Sequence, residues 1–207
     1  PKYLTPKQLP SGKRGKIATR VGGFTAGLGR KRSKVSSHLF GLGEYCAADL
    51  MACSPVVWPK HLPSAAQRDC QDTKVAAVWD REVADMQNFI HSLWAVRRAV
   101  ANTVTYTIFD DHDVSDDWNL NQAWCLRVLG KPLGRRVVSN ALLAYSLFQA
   151  WGNTPAQFEP GESGYRLFGL LEELIYTRGY DEYIEAEISR YLGLPPRQPE
   201  SNLPEFR

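Results

Sequence analysis

Five carboxylates and one histidine lie within eight consecutive positions, and these are the residues best suited to chemistry. The set comprises Asp110, Asp111, His112, Asp113, Asp116 and Asp117. Like charges held close together repel, and partial burial adds a desolvation cost unless a cation compensates. Metal ions suit that purpose, because hard cations take carboxylate oxygens and imidazole nitrogen. The alternative is a solvated acidic turn in which Asp116 or Asp117 caps the next helix.

A run of β-branched and aromatic residues leads directly into this cluster. Residues 103–109 are Thr-Val-Thr-Tyr-Thr-Ile-Phe, a composition typical of a buried strand. In open α/β sheets, ligands gather at the carboxyl ends of strands. We therefore expect an α/β fold in which this mostly helical chain supplies one core strand at 103–109, with the acidic cluster at its end.

Hydrophobic periodicity predicts helices over most of the chain after residue 36. Helices are expected at 36–53, 73–101, 120–128, 133–151, 163–177 and 180–192. The second of these would be about 40 Å long, which suggests a domain larger than this chain. Its apolar stripe consists of Val75, Val78, Trp79, Val83, Met86, Ile90, Leu93, Trp94 and Val100. Before residue 37 the pattern predicts a loop with a short strand at 16–21.

The formal net charge of +3 is unevenly distributed along the sequence. Residues 1–37 hold ten Lys or Arg and no acid, whereas the rest has 15 basic and 22 acidic residues, a net of −7. A basic arm could bind nucleic acid or a phosphate-rich surface. The alternative is a solvated loop of a larger domain, which makes nucleic acid the less expected partner.

Composition is that of an ordinary soluble globular protein, 43% hydrophobic and 23% charged. No run of about 18 apolar residues occurs, so we expect no membrane span. The sequence starts at Pro1 without a signal sequence, which favours coding sequence upstream. The four cysteines form no CxxC pair, and reduced structural thiols would fit cytoplasmic residence.

Residues 106–120, YTIFDDHDVSDDWNL, resemble the hallmark segment of PhoD-like (alkaline phosphatase D type) phosphatases, usually IFDDHDVTDDWN or IFDDHEVTDDWN. Residues 128–145 and 148–155 are similar to the same family, as are 37–39, 42–45 and 58–59. The likeness covers roughly 37–155. Together with the composition of the two ends, it predicts a basic Gly-rich arm at 1–36, a partial metallophosphatase domain at 37–194 and a Pro-rich tail at 195–207.

The resemblance implies a metallophosphoesterase of the calcineurin-like superfamily, whose two-metal site lies on a β-sandwich flanked by helices. Its substrates would be phosphate mono- or diesters, and its metals calcium, iron or other divalent ions. By the match to the superfamily motif Asn-His-Glu/Asp, Asp111 would ligate a metal. His112 would stand near the leaving group, and Asp113 would orient His112. Asp110 would be a further ligand or a support for the loop.

The sequence also departs from the family pattern. It lacks the early GDQxY-like segment and the late Gly-Asp-x-His segment that carry the remaining ligands. We therefore expect an incomplete metal centre and weak or absent activity for the chain alone. Arg135 and Arg136 could clamp a phosphate, although structural pairing is the favoured interpretation. The alternatives to a hydrolase are a helical interaction or scaffold module without chemistry, and a nucleic-acid-binding protein using the basic arm.

Overall fold

A computed structural model describes residues 9–24, 35–115, 118, 121–177 and 181–196. Nine α-helices and no β-strand occur among these residues. The helices are α1 (Gly15–Arg20), α2 (Leu42–Cys53), α3 (Thr73–Ala101), α4 (Asp111–Val114), α5 (Gln122–Leu129), α6 (Pro132–Tyr145), α7 (Trp151–Asn153), α8 (Ser163–Tyr176) and α9 (Glu182–Tyr191). Short 3₁₀ turns lie at Pro55–Val57, Ala66–Arg68 and Pro155–Phe158, and a π-helical turn at Ser146–Ala150. No helix in the described ranges is long and apolar enough to cross a membrane.

The α/β fold expected from the sequence is wrong for the part of the chain that the structure describes. Residues 103–109, predicted as a core strand, have no regular secondary structure. Val104, Tyr106 and Ile108 are 86%, 74% and 84% exposed. β-Propensity expresses how well a residue fits a pleated, half-buried surface, and it does not supply the neighbouring strand. The predicted strand at 16–21 is also wrong, because α1 occupies that segment.

The long helix predicted at 73–101 is confirmed as α3. Asp72 caps it by accepting hydrogen bonds from the Lys74 and Val75 amides. The helix predicted from residue 36 begins later, at Leu42. The helix predicted at 133–151 ends as an α-helix at Tyr145, where the π-helical turn follows.

Two compact units make up the chain, Ala47–Thr105 and a larger unit comprising 1–46 and 106–207. Helix α6 lies at the centre of the larger unit and buries eight of its fourteen residues. Val137 and Val138 belong to a core shared with α1, α2 and α5. On another side of α6, Leu143 packs with α8 and α9 in a second core.

Close backbone approach explains a glycine in the first turn of α6. A Cβ at Gly134 would collide with the carbonyl oxygens of Gly22 and Val128. Only glycine lets the helix start this near to its neighbours. The position therefore holds α6 against the segment that follows α1.

Part of the basic arm packs into the larger unit. Ala18 and Phe24 are buried in its first core. Arg14 is 4% exposed, and its guanidinium donates two hydrogen bonds to Glu44 at 2.6 and 3.0 Å. It also donates to the carbonyls of Leu9 and His38. One of the arm's ten basic charges is therefore neutralised inside the fold.

The same carboxylate caps the start of α2. Glu44 accepts hydrogen bonds from the amides of Phe40 and Gly41. Burial opposes ionisation of Glu44, but the bonds from Arg14 and from these two amides hold its pKa below the ordinary value. A single charged side chain thus joins the arm, the loop before α2 and α2 itself.

The smaller unit consists of α3 and the short segments that precede it. Asp80 accepts a hydrogen bond from the Ala65 amide at 2.8 Å, and the Trp79 indole donates to the Pro63 carbonyl at 2.8 Å. Leu93 is the one buried residue of α3. Most of this helix is therefore in contact with solvent.

Candidate functional site

Two carboxylates of the predicted site build the turn that holds the others. Asp110 caps α4, and its Oδ1 accepts a hydrogen bond from the His112 amide at 2.9 Å. In return, Asp113 Oδ2 accepts from the Asp110 amide at 3.0 Å. This reciprocal arrangement is a capping box, which satisfies amides that the helix leaves without partners. Asp110 therefore caps α4, and its role in a metal site stays a prediction.

Asp116 and Asp117, one of which was expected to cap the next helix, lie outside the described residues. The next described helix, α5, is capped by Asn121, whose side-chain oxygen accepts from the Trp124 amide at 2.8 Å. The carboxylates of Asp110 and Asp113 thus cap α4 and not α5.

The remaining two predicted site residues lie on the same short helix. Asp111 is half-buried, whereas His112 is exposed, as is Asp113. Within the described ranges, no three His, Cys, Asp or Glu side chains come together in a group that could hold a metal ion. The described residues alone therefore do not fit the two-metal centre that the resemblance implies.

An aromatic contact fixes the start of the acidic turn. Phe109 packs edge-on against Tyr145 of α6, with ring centroids 4.6 Å apart. Its ring also lies 5.1 Å from that of Trp118. Since Phe109 immediately precedes Asp110, this packing sets where the capping box begins.

A buried tyrosine fixes the end of the turn. The Tyr45 hydroxyl donates a hydrogen bond to the Val114 carbonyl at 3.0 Å, across 69 residues of sequence. It also lies 3.2 Å from the Leu39 carbonyl. Burial raises the pKa of Tyr45 well above its ordinary value, so the hydroxyl stays protonated as a donor. Val114 and Ser115 are each 2% exposed, which anchors the turn in the core.

A side-chain amide fixes the residues before the turn. Asn153 Oδ1 accepts from the Thr107 amide at 3.0 Å, and its Nδ2 donates to the Thr107 carbonyl at 2.5 Å. The amide therefore satisfies both backbone groups of Thr107, as a neighbouring strand would. We did not predict Tyr45 or Asn153 as site residues. Both lie in segments that carry the family resemblance, which is the signal that could have identified them.

A separate cleft of about 850 Å³ contains the two arginines considered as phosphate clamps. Arg136 forms an ion pair with Glu185, and Arg135 donates to the Pro195 carbonyl at 2.5 Å. The cleft is lined by three arginines and three glutamates: Arg135, Arg136, Arg190, Glu182, Glu185 and Glu187. Arg136 pairs with Glu185 and Arg135 binds a main-chain carbonyl, so both arginines have partners within the chain, which agrees with the structural pairing favoured from the sequence.

Comparison with known proteins gave no match to any family model, curated protein or solved structure.

Proposed function

We propose that this chain is part of a metal-dependent hydrolase of phosphate mono- or diesters, of the PhoD-like type. In this proposal the acidic turn contributes some of the metal ligands, and polypeptide beyond the described residues contributes the others. Calcium, iron or other divalent ions would occupy the complete centre. The proposal rests on the resemblance of residues 106–120, together with the way the chain folds around them.

The observation that carries the proposal is the meeting of separate segments around the acidic turn. Tyr45 comes from residues 42–45, Tyr145 from 128–145 and Asn153 from 148–155, all segments similar to PhoD-like phosphatases. Each contacts the stretch from Thr107 to Val114. Such convergence is expected if these segments serve a common site, and it supports a role for the turn beyond capping a helix.

Each residue of the turn has a distinct place in the proposed enzyme. Asp111 would be a metal ligand, and Asp110 would mainly hold the turn through its cap on α4. The exposed imidazole of His112 would stabilise charge or donate a proton to a leaving oxygen. Asp113 Oδ2 accepts a hydrogen bond from the Asp110 amide, so the other carboxylate oxygen of Asp113 would orient His112.

The test starts with the reading frame on both sides of this sequence. GDQxY-like coding upstream and Gly-Asp-x-His coding downstream are expected. The polypeptide that includes both should hydrolyse p-nitrophenyl phosphate with added calcium, iron or manganese, whereas the 207 residues alone should show little or no turnover. Asp111→Ala in the longer polypeptide should lower turnover by about 100-fold or more and reduce bound metal.

Matched variants separate the site from general effects of substitution. Asp85→Ala and His61→Ala change the same residue types at exposed positions outside the turn, and both should retain full turnover. His112→Ala should lose activity with less effect on metal content than Asp111→Ala. Full turnover of Asp111→Ala, or flanking frames without either segment, would contradict the proposal.

A second candidate function is an interaction module, and one observation favours it. Helix α3 leaves large apolar side chains in contact with solvent, including Val75, Phe89 and Val96 at 53%, 43% and 50% exposure. Large exposed apolar patches mark sites of protein association. The oligomeric state of the chain tests this candidate.

A further inference from the structure

A π-helical turn joins α6 to α7 and makes them one continuous helix. In an α-helix each amide binds the carbonyl four residues earlier, but here the Trp151 amide donates to the Ser146 carbonyl, five residues earlier. Four-residue spacing returns at once, because the Thr154 amide donates to the Ala150 carbonyl at 3.0 Å. A single π-helical turn is rare and is found frequently at functional sites. The helix from Pro132 to Asn153 therefore contains one extra residue.

The extra residue brings two contacts with the acidic turn and its approach onto one side of the helix. Before the π-helical turn, Tyr145 packs on Phe109. After it, Asn153 binds both backbone groups of Thr107. In an unbroken α-helix at about 100° per residue, Tyr145 and Asn153 would lie about 80° apart around the axis. With one residue held in the π-helical turn, about seven α-helical steps separate them, and they differ by only about 20°.

The short helix that carries Asn153 is braced against α8. The Trp151 ring packs edge-on against Phe168, with ring centroids 5.6 Å apart. Phe168 in turn lies 4.9 Å from the Phe158 ring. Asn153 is itself half-buried. Its side-chain amide is therefore presented to Thr107 from an element that neighbouring rings hold in place.

The bonds from Asn153 set a direction more than they add stability. Thr107 is exposed, so water could replace either bond at little cost. Holding both its N–H and its C=O, however, restricts the two residues that connect it to the cap at Asp110. We propose that the π-helical turn aims Asn153 at Thr107, and that Asn153 is thereby a positioning residue for the acidic turn. In the hydrolase it would act through Thr107 on Asp111 and His112, and this part of the inference rests on the proposed function.

Amide hydrogen exchange of the 207-residue chain tests the positioning without requiring hydrolysis. Asn153→Ala should accelerate exchange at Thr107 by about 10-fold, because its amide loses a hydrogen bond. Exchange at Asp110 and His112 should rise by about 3-fold or more, because the capping box opens more often. Amides of α9 should keep their wild-type rates, which excludes a general loss of stability. The matched control Gln157→Ala removes an exposed amide side chain from the next turn and should change none of these rates.

Two changes of chain length test the π-helical turn. Inserting one alanine between Ala150 and Trp151 should rotate Asn153 by about 100° and reproduce the exchange rates of Asn153→Ala. Deleting Leu147 should restore α-helical spacing with Asn153 on the same side of the helix, and so keep the wild-type rate at Thr107. Circular dichroism shows whether each variant is folded. If either does not fold, Asn153→Ala still decides the positioning role.

Kinetics of the longer polypeptide separate positioning from substrate binding. Asn153→Ala should lower kcat for p-nitrophenyl phosphate by about 10-fold and leave KM within about 3-fold of wild type. Gln157→Ala should retain both values. A side chain that only packs would leave the kcat of the folded enzyme unchanged.

Three results would count against these assignments. Wild-type exchange at Asp110 and His112 in Asn153→Ala, or an unchanged kcat, would overturn the positioning role. Fast exchange at Thr107 in the Leu147 deletion, with a wild-type rate in the alanine insertion, would overturn the role of the π-helical turn. A longer wild-type polypeptide without turnover would contradict the proposed hydrolase function instead, and the exchange rates would still decide the positioning of the turn.

Discussion

Helices α6 and α3 are both rich in apolar residues, yet they are buried to very different extents. Helix α6 has fourteen residues, of which eight are buried. Helix α3 has twenty-nine residues, and one is buried. Apolar periodicity therefore predicts that a helix forms, but it does not reveal whether the same chain covers the apolar face.

The difference has an energetic consequence. Substitutions in α6 and the core around it act on contacts made within the larger unit, so they should change the free energy of unfolding. Substitutions of exposed side chains on α3 should change that free energy little, because these side chains have few internal contacts to lose. Identical substitutions in the two regions measure this contrast.

The largest contrast is expected for arginine. Arg14→Ala removes a buried guanidinium that binds Glu44 and two carbonyls, and should lower the free energy of unfolding by about 3 kcal/mol. Arg97→Ala on α3 removes an exposed cation 5.8 Å from the Trp94 ring. It should change stability by less than about 0.5 kcal/mol in dilute, monomeric protein. Urea unfolding followed by circular dichroism measures both, and equal losses would contradict the contrast.

Valine gives the next largest contrast with an identical substitution in each helix. Val137 is fully buried in α6, and Val96 is 50% exposed on α3. Val137→Ala should cost about 2 kcal/mol from lost burial and a residual cavity. Val96→Ala should leave the stability of the dilute monomer unchanged or raise it slightly, since alanine is the better helix former. The same urea experiment compares them, and a destabilised Val96→Ala would show that α3 is covered after all.

Local signals explain which parts of the fold could be predicted. The 3.6-residue period located α3, and the cap at Asp72 marks its first residue. The capping box is also a local feature, because its two residues, Asp110 and Asp113, are only three positions apart in the sequence. The run at 103–109 was mispredicted because a strand needs a neighbour, and residue types alone do not show that one is present.

Non-local contacts explain what the sequence did not reveal about the site. Tyr45 reaches Val114 across 69 residues, and Asn153 reaches Thr107 across 46. No periodic pattern encodes such pairs. The roles of Asp111, His112 and Asp113 in hydrolysis stay predictions, since they concern chemistry that the fold of the turn does not test.

A smaller effect is expected at the tyrosine that anchors the acidic turn. Tyr45→Phe removes the hydroxyl that donates to the buried Val114 carbonyl, and should lower the free energy of unfolding by about 1 kcal/mol. Tyr106→Phe is the control, because Tyr106 is 74% exposed. If Tyr45 also positions the turn, amide hydrogen exchange at Asp111 and His112 should accelerate in Tyr45→Phe alone. Unchanged exchange there would limit Tyr45 to packing.

The smallest effect is expected in how the stability of the larger unit depends on pH. Burial alone would raise the pKa of Glu44, but hydrogen bonds from Arg14 and two backbone amides lower its folded-state pKa below the ordinary 4.5. A depressed carboxyl pKa adds stability above the ordinary value, and that stability is lost as pH falls from about 4.5 through the folded-state pKa. Wild type should therefore lose stability more steeply below pH 4.5 than Glu44→Gln, which cannot titrate. Equal slopes for wild type and Glu44→Gln would mean that Arg14 does not stabilise the ionised carboxylate.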